Sequence, residues 1–315
     1  MSEIAPEPSA EQFAAIARAI APGSKVISTC RLTGGISCRM DILKIASAHG
    51  ETRAVVVRQY GLQHAADDPH PGTIEATVLE HLGVNGIDAP ELILGDEATG
   101  IMGGPAIVTS FVDGQPNLNP ADRDNWVRQL VAAISKVHSL PVDPSHRPLI
   151  KSLYSGYDRV FSRSEPPRHV AEHPLGAELW QTLKALWPSV EKPTDCLLHG
   201  DYWPGNTLWK NEHLVAIVDW EEPRIGEPTF DIADLIQDAA FFGNDIEQST
   251  VDQYERASGR TLRDYKFWRM TVAMGAMPDP GEWVADLMSM GGEEITPDEV
   301  RANLAASVEH MLEIA

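Results

Sequence analysis

The run Leu197-Leu198-His199-Gly200-Asp201-Tyr202-Trp203-Pro204-Gly205-Asn206 and the shorter Ile217-Val218-Asp219-Trp220-Glu221 that follows it decide the fold. In the first, an apolar approach stops abruptly at a polar loop whose acid and amide stand at the interval D-x-x-x-x-N. In the second, apolar residues from Leu214 to Val218 end in another acid. Short apolar runs bounded by turn residues read as strands. Two such strands are expected to deliver Asp201, Asn206 and Asp219 to one end of a small sheet.

The rest of the chain sets limits around that centre. Its 315 residues are enough for two modest domains, and 43% apolar with 7% aromatic content is that of a folded chain. Lys and Arg number 25 against 46 Asp and Glu, a formal charge of −21. Nucleic acid and anionic membrane surfaces are therefore excluded as main partners, while a cationic substrate is compatible. Cys30, Cys38 and Cys196 are scattered without C-x-x-C spacing. That pattern argues against a disulfide framework or a zinc site and fits a reducing cytoplasm. No basic start with an apolar run suggests a signal peptide, and no stretch nears about 18 consecutive apolar residues. A cytoplasmic monomer or homodimer is the expectation.

Outward from the centre, apolar spacing predicts a helix over 11–20 that Pro22-Gly23 stops. Runs at 26–28 and 40–45 flank paired glycines and read as a hairpin, and 54–60 reads as a third strand carrying Arg58. Helical spacing returns over 74–82, and 90–94 and 106–112 add strand-like runs. Asp113-Gly114-Gln115-Pro116 breaks the pattern. Beyond it come expected helices at 126–140, 179–190, 232–242, 250–257, 262–274, 281–290 and 297–313, with Pro-bearing loops at 141–148 and 165–174. The expected organisation is an α+β fold of two lobes: 1–112, a small antiparallel sheet with one inserted helix, and 113–315, larger and mainly helical.

His199-Gly200-Asp201 with Asn206, then Ile217-Val218-Asp219-Trp220-Glu221, then Gly226-Glu227-Pro228 with Asp231 and Ala233 resemble the aminoglycoside phosphotransferase-like family of small-molecule kinases. Thr33-Gly34-Gly35-Ile36-Ser37 looks like its glycine loop, Glu75 with Leu79 and Leu82 like its upper-lobe helix, and 105–114 like its hinge. Val137-His138-Ser139-Leu140 is similar to its L-H-x-L helix ending. The likeness runs from about residue 26 to 240 and is thin beyond. It implies a protein-kinase-like fold and transfer of the γ-phosphoryl group of ATP, with GTP as the alternative, to a hydroxyl of a small molecule with Mg²⁺.

The resemblance also implies roles. Asp201 would accept the proton of the substrate hydroxyl, and Asn206 and Asp219 would offer hard oxygen ligands to Mg²⁺. Gly34, Gly35 and Ser37 would cradle phosphate, Ser110 and Val112 would border the adenine, and Arg58 with Glu75 would stand where the family usually has a Lys and its acid. Arg for Lys is not conservative. His199 and Asp231 read as structural supports. Glu222, Asp238, Phe241, Trp268 and Glu282 are the candidates for the acceptor site, where an acidic pocket would favour an amine-bearing molecule such as an aminoglycoside. Two other readings remain: a non-catalytic nucleotide-binding protein, motivated by Arg58, and a protein kinase. The short segment between Asp219 and Gly226 argues against the second, since it leaves no long activation loop. No G-x-x-x-x-G-K-[ST] run is present, which excludes a Walker-type loop.

Overall fold

The structure is a computed structural model and describes residues 5–32, 38–61, 71–289 and 295–313. It divides into two compact units, residues 1–113 with 216–221, and residues 114–215 with 222–315. The break thus falls after Asp113, and a short later segment carrying Asp219 returns to the first unit. From the sequence that segment is expected in the second lobe; its long-range contacts place it in the first.

The first unit is built on an antiparallel sheet of β1 (Lys25–Leu32), β2 (Cys38–Ala46), β3 (Thr52–Tyr60), β4 (Leu92–Leu94) and β5 (Ala106–Ser110), in the order β1-β2-β3-β5-β4. Period-two alternation sends Leu43, Ile45, Val55 and Val57 to one face. There they pack with Phe13, Ile16 and Ala17 of helix α1 (Ala10–Ile20), all buried. Each such side chain contributes about 1.5–3 kcal/mol relative to exposure. Helix α1 begins where it does because Ser9 and Gln12 form a capping box, with Ser9 Oγ accepting from the Gln12 amide at 3.2 Å. The other face of β3 carries Arg58 and Tyr60, opposite Met40 and Cys38 of β2. Helix α2 (Pro71–Val84) buries Ile74, Val78, Leu79 and Leu82, and with them Glu75. A further short helix, α3 (Asp96–Met102), lies between β4 and β5. The sequence pattern predicts α1 and α2 but not α3, whose seven residues are too few to show a helical period.

The second unit is mainly helical. Asp122 caps α4 (Arg123–His138), whose Trp126, Leu130, Ile134 and Val137 are buried on one side. Next come α5 (Leu153–Phe161), α6 (Arg168–Ala171) and α7 (Gly176–Leu186). Helix α5 is absent from the sequence expectation. It is short, contains Gly156, and is bounded at its start by Ser152, whose hydroxyl accepts from the Tyr154 amide at 3.3 Å. The strand pair β6 (Leu197–Leu198) and β9 (Arg224–Ile225) is antiparallel, and β7 (Thr207–Lys210) pairs with β8 (His213–Ile217). Asn211 and Glu212, with φ of 50° and 63°, make the tight turn between β7 and β8. Helices α8 (Thr229–Phe241), α9 (Glu247–Ser258), α10 (Tyr265–Gly275), α11 (Val284–Ser289) and α12 (Pro297–Glu313) complete it. The core of this unit is aromatic: Phe161, Trp187, Phe267 and Trp268 form tilted, edge-on or stacked pairs with ring centroids about 5–6 Å apart. Among the described residues no helix is long and apolar enough to cross a membrane.

Candidate active site

The loop after β6 is held by its backbone. Gly200 has φ of +86°, and a Cβ there would lie 2.0 Å from the carbonyl oxygen of Glu222. Only glycine fits. The turn aims the amides of His199 and Gly200 at Asp231 on α8, which accepts from them at 2.8 and 3.0 Å. Asp231 also faces His138 Nε2 at 2.9 Å, while His138 Nδ1 lies 2.8 Å from the Tyr254 hydroxyl. The carboxylate can only accept, so Nε2 carries the proton and Nδ1 accepts from Tyr254. Asp231, His199 and Tyr254 have no exposure and His138 has 1%. An acceptor with three donors on it satisfies the demand that a buried charge be fully hydrogen-bonded.

The rest of the loop presents Asp201. The Asp201 amide donates to His199 Nδ1 at 3.3 Å, and the Tyr202 hydroxyl anchors the loop on the Leu130 carbonyl at 2.9 Å. Pro204–Asn206 makes a single 3-10 turn, in which Gly205 lies under the Trp203 ring. That turn brings Asn206 Nδ2 to the Asp201 carbonyl at 2.9 Å and its Oδ2 at 2.8 Å. Both amide hydrogens are thus used on Asp201, and Asn206 Oδ1 has no donor among the described residues. The D-x-x-x-x-N interval therefore fixes the carboxylate and leaves the amide oxygen uncommitted among the described residues. Asp234 and Asp238, both half-buried on α8, lie in the field of Asp201. Loss of water, then like charge, pushes both carboxyls well above the ordinary range.

Within the first unit, Asp219 sits in the left-handed region with φ of 67°. For a residue with a Cβ this costs about 1–3 kcal/mol and persists only where neighbours impose it. Here the Ile217 amide is tied to the Asp88 carbonyl at 2.8 Å, and the buried Trp220 donates from Nε1 to the Ile217 carbonyl at 3.0 Å. Asp219 Oδ1 accepts from Arg58 Nη2 at 2.5 Å, and Glu221 Oε2 accepts from the same nitrogen at 2.7 Å. Arg58 Nε lies 3.3 Å from Glu75 Oε2, and the Tyr60 hydroxyl donates to that oxygen. Burial opposes the charge of Arg58, but Asp219 and Glu75 hold it on, raising its pKa further. Cys38 Sγ completes the group, donating to Glu221 at 3.3 Å, and burial pushes its thiol up to about 12.

The model of the phosphotransferase enzyme family matches residues 45–270. The chain belongs to that family. Among solved structures, this phosphotransferase is similar to a candidate aminoglycoside phosphotransferase from Ralstonia eutropha JMP134, with TM-score 0.62, 15% identity, and 98% of each chain covered. It is also similar to a choline kinase from Streptococcus pneumoniae (TM-score 0.61, 14% identity, 97% of this chain and 99% of that one). A third is a spectinomycin phosphotransferase in complex with ADP and spectinomycin (TM-score 0.59, 16% identity, 96% of each). The fold is that of the small-molecule kinases, and the phosphotransferase is an enzyme of that class.

The sequence-predicted residues fall unevenly on this framework. Asp201, Asn206, His199 and Asp231 meet in the second unit, and Arg58, Glu75 and Asp219 meet in the first. Gly34, Gly35 and Ser37 lie outside the described residues. Ser110 ends β5 and is taken up by Glu91, its amide donating to the Glu91 carbonyl at 2.8 Å and its hydroxyl accepting from the Glu91 amide at 2.9 Å. Val112 is half-buried just past the strand. Glu222 is exposed and ion-paired with Arg224, and Glu282 is exposed on the 3-10 turn Pro280–Trp283. Phe241 and Trp268 are corrections. At 1% and 0% exposure they are inside the aromatic core, so packing accounts for them and acceptor contact does not. Glu221, read from the sequence as bordering the substrate entrance or facing solvent, instead pairs with Arg58. Tyr60 and Cys38 join that group in the first unit, and Asp234 stands near Asp201 in the second, without having been expected there. Nothing local in the sequence signals Tyr60, Cys38 or Asp234, since their partners are distant in the chain.

One pH dependence follows from this arrangement. Burial moves the Glu75 carboxyl from 4.5 up to about 7, against the pull of Arg58. The folded state thus holds a proton that the unfolded state has released, and folding stability falls as pH rises from about 4.5 to about 7. Glu75→Gln removes that proton. Urea melts across pH 4.5–7.5 should show a flatter stability profile in the variant than in wild type; identical slopes would contradict the assignment.

Proposed function

We propose that the phosphotransferase moves the γ-phosphoryl group of ATP, or of GTP, to a hydroxyl of a small molecule, with Mg²⁺. The observation that carries this reading is the Asp201 carboxylate pinned by Asn206 on a loop whose backbone hangs from Asp231. Phosphoryl transfer asks little covalent chemistry of the protein and much positioning. In that role Asp201 accepts the hydrogen bond of the acceptor hydroxyl and then its proton. Asn206 keeps the carboxylate from rotating away, and its Oδ1, which accepts from no donor among the described residues, is a hard ligand of the type Mg²⁺ prefers. Asp219 offers a second hard oxygen, held in place by a strained backbone. Among the described residues no three His, Cys, Asp or Glu side chains stand together as a metal site, so phosphate oxygens and water would complete the coordination. Bound Mg²⁺ neutralises charge on the phosphates.

Arg58 supports two readings. Paired with Glu75 it matches the strand-cation and helix-acid pair of kinases, and that pair positions phosphate. Held also by Asp219 and Glu221, it instead suits a non-catalytic nucleotide binder. The ADP held by the similar spectinomycin phosphotransferase supports a nucleotide site in either case. Melting with ATP and with ATP plus Mg²⁺ separates the parts. Wild type should be stabilised more by the pair than by ATP alone, and Asp219→Ala should lose the Mg²⁺-dependent increment. An equal increment in the variant would remove Asp219 from the metal site.

A further inference from the structure

The second unit holds a cavity of about 470 Å³ whose wall includes Gly200, the residue directly before Asp201. Its apolar side is Tyr157 and Phe230, with ring centroids 6.4 Å apart. Its polar side is unusual for a chain of charge −21: Arg159, Arg163 and Arg224 against one acid, Glu222. Glu222 is already paired with Arg224. Arg159 on α5 and Arg163, one turn further and just past its end, have no carboxylate within ion-pair distance among the described residues. Elsewhere on the surface Arg18, Arg168, Arg256, Arg263 and Arg301 each have one, whereas Arg31, Arg53, Arg123, Arg128 and Arg147 have none among the described residues and stand apart from this cavity. What sets Arg159 and Arg163 apart is their place: with Arg224 they put three guanidinium groups on one cavity wall against a single acid, which marks a place for an anion that the chain does not itself supply. The planar fork of arginine matches a carboxylate.

We propose that this cavity is the acceptor subsite and that it takes a hydroxylated carboxylate with an apolar or aromatic body, in place of the amine-bearing acceptor that the acidic composition favours. The assignment rests on the phosphotransfer reading for its hydroxyl, which Asp201 would receive, and on the arginines for its charge. Asp234 and Asp238 near Asp201 do not oppose it as full negative charges, because burial keeps their carboxyls protonated to higher pH than usual. Gly156 also lines the cavity, with nothing within 4 Å of the place where a Cβ would stand.

Three probes with one hydroxyl and one phenyl ring test the charge: mandelate, neutral mandelamide, and the amine 2-amino-1-phenylethanol. Binding is measured by calorimetry, without nucleotide, to wild type and to the double variant Arg159→Gln, Arg163→Gln. Both arginines are exposed, so the melting temperature should not change. Mandelate should bind wild type about tenfold or more tightly than either other probe, as expected for a charge-assisted pair. The double variant should bind all three alike, and Gly156→Leu should weaken all three. The proposal is overturned if the amide or the amine binds wild type as well as mandelate, if mandelate does not bind, if the double variant keeps the preference, or if Gly156→Leu changes nothing. Because binding needs no turnover, the two readings fail separately. Mandelate held without transfer in the presence of ATP contradicts the phosphotransfer reading alone, and transfer to the amine in preference to mandelate contradicts the subsite alone.

Discussion

Asp201→Asn should lower phosphoryl transfer by about 10²–10⁴-fold, the span that a positioned general base contributes, while the protein stays folded. The amide keeps the size of the carboxylate but cannot take a proton. Stability should hold or rise. Asp201 stands in the field of Asp234 and Asp238, both already pushed upward by burial and like charge, and removing one charge relieves them. The hydrogen bond from Asn206 can still be accepted by the new side-chain oxygen. A variant that loses activity because it melts at lower temperature would assign Asp201 to the scaffold. One that is as stable as wild type and inactive assigns it to the chemistry. Sites kept at a cost in stability are where function and packing disagree.

Asp231→Ala should do the opposite, lowering stability and activity together. The carboxylate has no exposure and carries the amides of His199 and Gly200 and the ring of His138. Truncation strands three donors in a space that water does not reach. The expected loss is on the order of 3–5 kcal/mol, near the upper end for a single substitution. For a chain of this length the melting temperature should fall on the order of 10 °C. Asp231→Asn fills the same volume but turns one acceptor into a donor, and should fall between Ala and wild type. If Ala and Asn lose the same amount, volume and not hydrogen bonding is what Asp231 supplies. Thermal melts beside turnover at a temperature below both transitions separate the two losses.

Much of this site was legible because its determinants are local. His199-Gly200-Asp201 and Asn206 lie within one loop, and the turn that joins them needs only the small residues Gly200 and Gly205 and the 3-10 turn at Pro204. Strands β2 and β3 were readable as short apolar runs, the first beside paired glycines, and α4 from a single apolar face. What escaped was long-range or ambiguous in pattern. Arg58 meets Asp219 and Glu221 across 161 and 163 residues of sequence, a contact no spacing encodes. Phe241 and Trp268 have the same helical periodicity whether a face lines a pocket or fills a core, and they fill a core. Helix α5 offered a weak apolar signal after a Pro-bearing loop, so Arg159 and its cavity stayed hidden until the fold set them beside Gly200.

The most direct measurement is ³¹P NMR of the wild-type enzyme with ATP, Mg²⁺ and a panel of hydroxylated acceptors, repeated with Asp201→Asn. The account predicts ADP and a phosphate monoester growing together in wild type, with neither above background in the variant. ATP left intact with every acceptor, or inorganic phosphate as the sole product at equal rates in both proteins, would contradict it.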